Sequence, residues 1–166
     1  MALETAVGKG AHFTVALPIE GVTAPSVHPA PRPAAAVTGG TILVVEDDPQ
    51  ILRLLQRILA RVGYEVTAVS SVGEARARLQ ASRYTLLVTD GQLPDGTAGD
   101  VLTAYREKHA TGPAVVCTGF VNDDAVLARV RQDARTVLVH KPFATGALVD
   151  LATRLIQDAS GSQPSS

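Results

Sequence analysis

The chain has 166 residues, 46% of them hydrophobic, with 15 Lys and Arg against 16 Asp and Glu for a net charge of −1. That length holds one well-buried domain with extensions rather than two ordinary domains, and the balanced charge excludes the basic footprint used to hold nucleic acid or an anionic membrane surface. The single cysteine, Cys117, cannot form an internal disulfide, no apolar stretch approaches the roughly 20 residues of a membrane span, and the first residues lack a signal-peptide core; a cytoplasmic protein without membrane contact is expected.

Residues 1–20 place Gly8-Lys9-Gly10 before a stretch in which Phe13, Val15 and Leu17 alternate with His12, Thr14 and Ala16. This is the period of a half-buried strand entered from a turn, and a single strand there has nothing to bury against. Residues 21–40, with Pro25, Pro29, Pro31 and Pro33 among Ala, Val and Gly, read as a semi-extended linker. Residues 41–158 form the domain proper, and the small polar residues of 159–166 are expected to be disordered.

Within the domain, short Val- and Leu-rich runs alternate with longer segments of helical period, the signature of a parallel α/β sheet. The predicted strands are Thr41–Val45, Glu65–Val69, Thr85–Thr89, Ala114–Cys117 and Thr136–Val139, mostly without polar alternation and so covered on both faces. Asp48-Pro49 caps a first helix whose apolar stripe is Ile51, Leu54, Leu55, Ile58 and Leu59, ending near Gly63. Val72–Gln80, Gly99–Lys108, Asp123–Arg131 and Thr145–Gln157 give four more, the last with Leu148, Leu151, Leu155 and Ile156 as its stripe. Five strand-helix units in this length predict a doubly wound, flavodoxin-like five-stranded parallel sheet of order 2-1-3-4-5 with helices on both faces.

Ligands of such sheets bind beyond the carboxyl ends of the strands, where the strand order reverses. Glu46, Asp47 and Asp48 follow the first strand, Asp90 the third, Thr118 the fourth and Lys141 the fifth. Each has a plain reading by itself: Asp48 as a helix cap, Asp90 as a turn residue before Gly91, Lys141 as a surface lysine, Thr118-Gly119 as a strand-ending turn. Together they form a metal site beside a nucleophilic carboxylate, with a cation and a hydroxyl opposite. Converging carboxylates repel one another unless a cation neutralises them, and an all-oxygen set favours a hard ion, Mg²⁺ or Mn²⁺. Phosphoryl transfer needs this arrangement, since its catalysis is positioning and charge stabilisation.

The segments Ile42-Leu43-Val44-Val45-Glu46-Asp47-Asp48-Pro49, Val88-Thr89-Asp90 with Leu93-Pro94, Val116-Cys117-Thr118-Gly119 and His140-Lys141-Pro142-Phe143 resemble the receiver domains of two-component response regulators. The resemblance implies that Asp90 accepts a phosphoryl group from the phosphohistidine of a histidine kinase or histidine phosphotransfer protein. It implies that Glu46, Asp47, Asp90 and the Gln92 backbone carbonyl hold Mg²⁺, that Thr118 and Lys141 bind phosphoryl oxygens, and that Lys141-Pro142 is cis. Gln92 and Phe120 stand where the family tunes phosphoryl lifetime.

Two positions depart from the pattern. Leu138 stands where the family carries a switch aromatic, and the loop Pro94-Asp95-Gly96-Thr97-Ala98-Gly99 is one residue longer than in the commonest receivers, resembling hybrid kinases. Glu4 to Pro18 resembles the end of a histidine-kinase ATPase domain, which implies the C-terminal part of a hybrid sensor kinase. An Asp-nucleophile phosphatase would place a second acid where Gln92 stands, and a nucleotide- or flavin-binding module would place a glycine-rich loop where Glu46-Asp47-Asp48 stands. A receiver-like interaction module without phosphorylation is the remaining alternative.

Overall fold

The computed structural model describes residues 2–5 and 11–14 through their backbone pairing, and residues 39–119, 130 and 132–161. The chain divides into a unit spanning Met1–Arg32 and a larger one spanning Pro33–Ser166. In the first, Ala2–Thr5 (β1) pairs antiparallel with Ala11–Thr14 (β2), Leu3 opposite Phe13 and Glu4 opposite His12. The lone strand expected at Phe13 is thus corrected to a hairpin: Ala2–Thr5 has too little apolar period to announce itself, and only its partner identifies it. The predicted strand residues Val15 and Leu17, and the linker up to Thr38, lie outside the described residues.

The second unit is built on Thr41–Val45 (β3), Glu65–Val69 (β4), Leu86–Asp90 (β5), Ala114–Thr118 (β8) and Thr136–His140 (β9), with the two-residue strands Gln92–Leu93 (β6) and Gly96–Thr97 (β7) forming a small hairpin after β5. The large sheet runs β4-β3-β5-β8-β9, all neighbours parallel, which is the expected order 2-1-3-4-5. Alternate residues supply opposite faces. Leu43, Val45, Leu87 and Val116 pack one way, with Ala75 and Leu79 of Val72–Ala81 (α2) and Val101 and Tyr105 of Ala98–Lys108 (α3). Ile42, Val44, Val88 and Val115 pack the other way, with Leu55 and Leu59 of Pro49–Arg61 (α1) and Leu148 and Ala152 of Thr145–Gly161 (α4). Each fully buried Leu or Ile contributes roughly 1.5–3 kcal/mol, which makes this two-faced burial the main support of the fold.

Local signals set the boundaries. The Asp48 carboxylate accepts from the Gln50 and Ile51 amides at 2.7 and 3.2 Å, with Pro49 at the first helical position, so α1 begins there. It stops at Gly63, whose φ of 105° suits glycine. The predicted stripe needs one correction: Leu54 is 46% exposed, and Leu52 packs on the core in its place. At about 100° per residue, Leu54 falls a quarter-turn from Leu55, off the buried face. Similarly, the most buried residue of α4 outside the predicted stripe is Ala152, lying between Leu148 and Ile156 at four-residue spacing.

β5 runs one residue later than predicted. The Thr85 amide still donates to the Thr41 carbonyl at 2.7 Å, but the Thr41 amide goes to the Thr85 hydroxyl at 3.1 Å, and Asp90 pairs with Cys117 as the last residue of the strand. α4 passes the predicted end at Gln157 and continues to Gly161, the Ser160 hydroxyl donating to the Ile156 carbonyl at 2.9 Å. The predicted helix Asp123–Arg131 lies outside the described residues except for Val130, which is helical and buried.

Candidate functional site at the carboxyl edge of the sheet

The order reverses between β3 and β5, and their carboxyl ends stand side by side. Glu46 follows β3 directly, and its amide donates to the Val69 carbonyl of β4 at 3.1 Å, which fixes where its side chain leaves the sheet. Asp90 ends β5, Thr118 ends β8, and Lys141 follows β9, its amide donating to the Thr118 carbonyl at 2.6 Å. Parallel pairing therefore delivers to one edge groups that are up to 95 residues apart in sequence.

Glu46, Asp47 and Asp90 each offer a carboxylate oxygen, and these oxygens lie within 4.8 Å of one another. Glu46 is buried, Asp90 half-buried and Asp47 exposed, so the cluster opens toward solvent on the Asp47 side. Lys141 Nζ sits 2.7 Å from Glu46 Oε2 and 3.1 Å from Asp90 Oδ2. Burial pushes the Glu46 carboxyl above its ordinary value, with the Asp90 charge adding to the effect, although the Lys141 hydrogen bond pulls the other way. Burial also works against the Lys141 ammonium, but its hydrogen bonds to Glu46 and Asp90 prevail and hold its pKa above the usual lysine value. Three carboxylates against one ammonium leave excess negative charge facing solvent. An all-oxygen, partly open donor set with uncompensated negative charge fits a hard divalent cation.

Asp48 does not join this cluster. Its carboxylate accepts from the Gln50 and Ile51 amides of α1, which hold it below the usual range, so its sequence reading as a helix cap accounts for it. Asp90 Oδ1 accepts from the Gly91 amide at 2.7 Å, and the same amide donates to the Cys117 carbonyl at 2.7 Å. A side chain at Gly91 would come within 3.4 Å of the Cys117 carbonyl and of the Thr118 hydroxyl, which shows how closely the Thr118 side chain adjoins the segment after Asp90. Gln92 is exposed and paired with Thr97 in the small hairpin. The Lys141–Pro142 peptide is cis, as the resemblance implies. Leu138 is half-buried, pairs with Val116 and packs against the α2 and α3 side of the core. Phe120 lies outside the described residues.

Cys117, one residue before Thr118, is a free and buried cysteine whose thiol is pushed up to about 12, first by burial, with the Lys141 charge opposing. It serves as a small core residue, as its apolar run predicts.

Two features of the site carry no sequence signal. One is the direct Lys141–Glu46 ion pair, because spacing shows which strand ends a residue follows but not which partner it selects. The other is Asp95, in the turn of the small hairpin, whose Oδ1 and Oδ2 accept from the Val72 and Gly73 amides of α2 at 2.8 and 2.9 Å. Its only trace in the sequence is an acid in a loop of unusual length.

A doubly wound α/β domain with an acidic, metal-competent cleft at its switch point is the class that this fold and site define. The chain belongs to the response regulator receiver domain family, whose pattern matches residues 42–153. It is 29% identical over 115 residues to the response regulator protein PilR of Pseudomonas aeruginosa, a match covering 69% of this chain and 26% of PilR. The chain thus spans about a quarter of that relative's length. Among solved structures it is similar to a CheY-like receiver domain protein from Methanospirillum hungatei, with a TM-score of 0.69 at 22% identity, covering 75% of this chain and 98% of that one. It is also similar to the signal receiver domain of a signal transduction histidine kinase from Syntrophus aciditrophicus, with a TM-score of 0.65 at 22% identity, covering 77% and 98%. These likenesses establish the fold. Receiver domains bind Mg²⁺ at an acidic cluster such as Glu46, Asp47 and Asp90, and they take phosphate from histidine kinases or phosphotransfer proteins.

Proposed function

We propose that Asp90 is the phosphoacceptor of a two-component phosphorelay. A carboxylate oxygen of Asp90 attacks the phosphorus of a phosphohistidine; the P–N bond breaks, an acyl phosphate forms, and the imidazole of the donor leaves and takes up a proton. The observation that carries this reading is the Lys141 ammonium lodged between Glu46 and Asp90 at 2.7 and 3.1 Å, beside three carboxylates within reach of one ion. Glu46, Asp47, Asp90 and the Gln92 carbonyl are the groups that would hold Mg²⁺. When bound, Mg²⁺ supplies positive charge that offsets the repulsion between these acids and an incoming phosphoryl group. Lys141, already at the edge of Asp90, exchanges its carboxylate contacts for a phosphoryl oxygen, and Thr118 offers its hydroxyl from the neighbouring strand end.

These new contacts favour one arrangement of the β9 edge over another, a population shift. Leu138, half-buried and packed on the α2 and α3 side of the core where the family has an aromatic, offers no ring whose rotation could carry that shift. Incubation with acetyl phosphate and Mg²⁺ should add one phosphoryl mass to the intact chain and none to Asp90→Asn. Equal labelling of the two proteins defeats the reading. The parent is a cytoplasmic hybrid sensor kinase with this receiver in its C-terminal part, a reading supported by the N-terminal resemblance and by the likeness to a histidine kinase's receiver. Among the described residues no helix is long and apolar enough to cross a membrane. The upstream coding sequence tests the parentage: an in-frame kinase supports it, and a stop codon directly before Met1 with no kinase in frame removes it.

A further inference from the structure

The ends of β3 and β5 are joined by the sheet, but a second connection runs outside it. From Glu46, the backbone bond to the Val69 carbonyl leads into the junction between β4 and α2. There Ser71 caps α2 by accepting from the Glu74 amide at 3.2 Å, and Glu74 accepts from the Ser70 amide at 2.8 Å. These two bonds satisfy the Glu74 and Ser70 amides at the helix start. The Val72 and Gly73 amides nevertheless receive a separate partner, the two oxygens of Asp95, at 2.8 and 2.9 Å. Those two bonds hold the Asp95 carboxyl below its ordinary value, Gly73 contributing most.

Asp95 is in the turn of the β6–β7 hairpin, and β6 begins with Gln92, two residues after Asp90. The hairpin is held at its base as well: the Thr97 amide and hydroxyl both donate to Asp100 Oδ2 at 2.9 Å, and the Ala98 amide donates to the Gly91 carbonyl at 3.0 Å. Gly96 is wedged between them, since a Cβ there would lie 2.9 Å from Asp100 Oδ2 and 3.1 Å from Val72 Cγ2. Leu93 is buried beneath. With its base tied to α3 and its turn tied to α2, the segment carrying Gln92 has little freedom.

We infer that Asp95 is a positioning residue for the metal-binding half of the site. By gripping the α2 N-terminus it locks the Gln92 backbone against the β4–α2 junction from which the Glu46 backbone is also held. The inference rests on the proposed function, in which Gln92 contributes a carbonyl to the ion. Groups that orient metal ligands typically carry 10- to 100-fold in metal affinity. Asp95 acts through a backbone rather than on a ligand side chain, so the lower end applies.

The test titrates the full chain with MgCl₂ alone by calorimetry, alongside amide hydrogen exchange and thermal melts, for wild type, Asp95→Ala, Asp95→Asn and Ser71→Ala. Asp95→Ala should lose protection at the Val72 and Gly73 amides and bind Mg²⁺ about tenfold more weakly, while Asp95→Asn, which keeps one acceptor oxygen, recovers part of the affinity. Ser71→Ala loosens the same helix end without cutting the tie, so it should lower the melting temperature and leave Mg²⁺ affinity unchanged. Asp95→Ala with wild-type affinity, or with unchanged exchange at Val72 and Gly73, overturns the inference. So does Ser71→Ala weakening Mg²⁺ as much as Asp95→Ala, because the effect then belongs to helix stability. A wild-type chain that binds no Mg²⁺ instead sinks the proposed function itself.

Discussion

Replacing Lys141 with Met tests the electrostatics of the site independently of phosphorylation. The Lys141 ammonium lies 2.7 Å from Glu46 Oε2, and the Glu46 side chain is only 3% exposed, so its removal strands a carboxylate away from water with Asp90 as a like-charged neighbour. Breaking a fully buried pair in this way costs about 3–5 kcal/mol. Lys141 is 21% exposed and Asp90 15%, so solvent reaches one side of the pair and the expected loss is reduced to about 2 kcal/mol. In urea denaturation followed by circular dichroism, with chelator present so that no divalent ion replaces the lost charge, the midpoint should fall by roughly 1 M. Pairing Lys141→Met with Glu46→Gln removes the stranded charge, so the double variant should be more stable than the sum of the single losses by about 1–2 kcal/mol. Adding Mg²⁺ should raise the midpoint of Lys141→Met more than that of the wild type, because the ammonium no longer competes for the acids. A Lys141→Met chain within about 0.5 kcal/mol of wild type, or strictly additive losses, would refute this account of the site.

Two further predictions concern the opposite edge of the domain. His109 Nε2 accepts from the Tyr84 amide at 2.9 Å and its ring stacks on Tyr105 with centroids 4.5 Å apart; burial, then the nearby Arg83, Lys108 and Arg106 charges, hold it below 6.5, with the bond to the Tyr105 carbonyl opposing. Because the unfolded chain takes the proton first, this contribution is intact above pH 6.5 and is lost as pH falls through the lower folded value. His109→Gln should therefore lessen the fall in urea midpoint between neutral and mildly acidic pH, and an unchanged profile refutes the assignment. At Gly112, a Cβ would lie 2.5 Å from the Tyr105 hydroxyl oxygen and 3.0 Å from Cζ, within the buried packing of α3. Gly112→Ala should cost about 1–3 kcal/mol, and less in a Tyr105→Phe background, where the nearest clashing atom is gone; equal losses in both backgrounds would show that the clash is not the cause.

The fold was largely legible because it rests on local periodicity. Val- and Leu-rich runs covered on both faces, helices opened by Asp48-Pro49 and closed by Gly63, and short connections leave a doubly wound sheet as the arrangement that buries every apolar face. Errors came where a single residue had two possible uses. Thr85 looks like a strand residue but turns its hydroxyl to Thr41; Leu54 looks like core but lies a quarter-turn off the buried face; Ala152 is too small to announce that it is core.

For the site, sequence order was sufficient to gather the groups. Any parallel sheet of this order brings the residues after its first, third, fourth and fifth strands to one edge, so Glu46, Asp47, Asp90, Thr118 and Lys141 could be named together from the chain alone. Their pairing was not legible. That Lys141 settles between Glu46 and Asp90, and that Asp95 reaches back to α2, depend on directions of side chains 22 to 95 residues apart. Periodicity assigns a residue to a face or an edge. Hydrogen bonds a few tenths of an ångström wide in tolerance choose its partner, and only the packed sheet and helices set distances that finely.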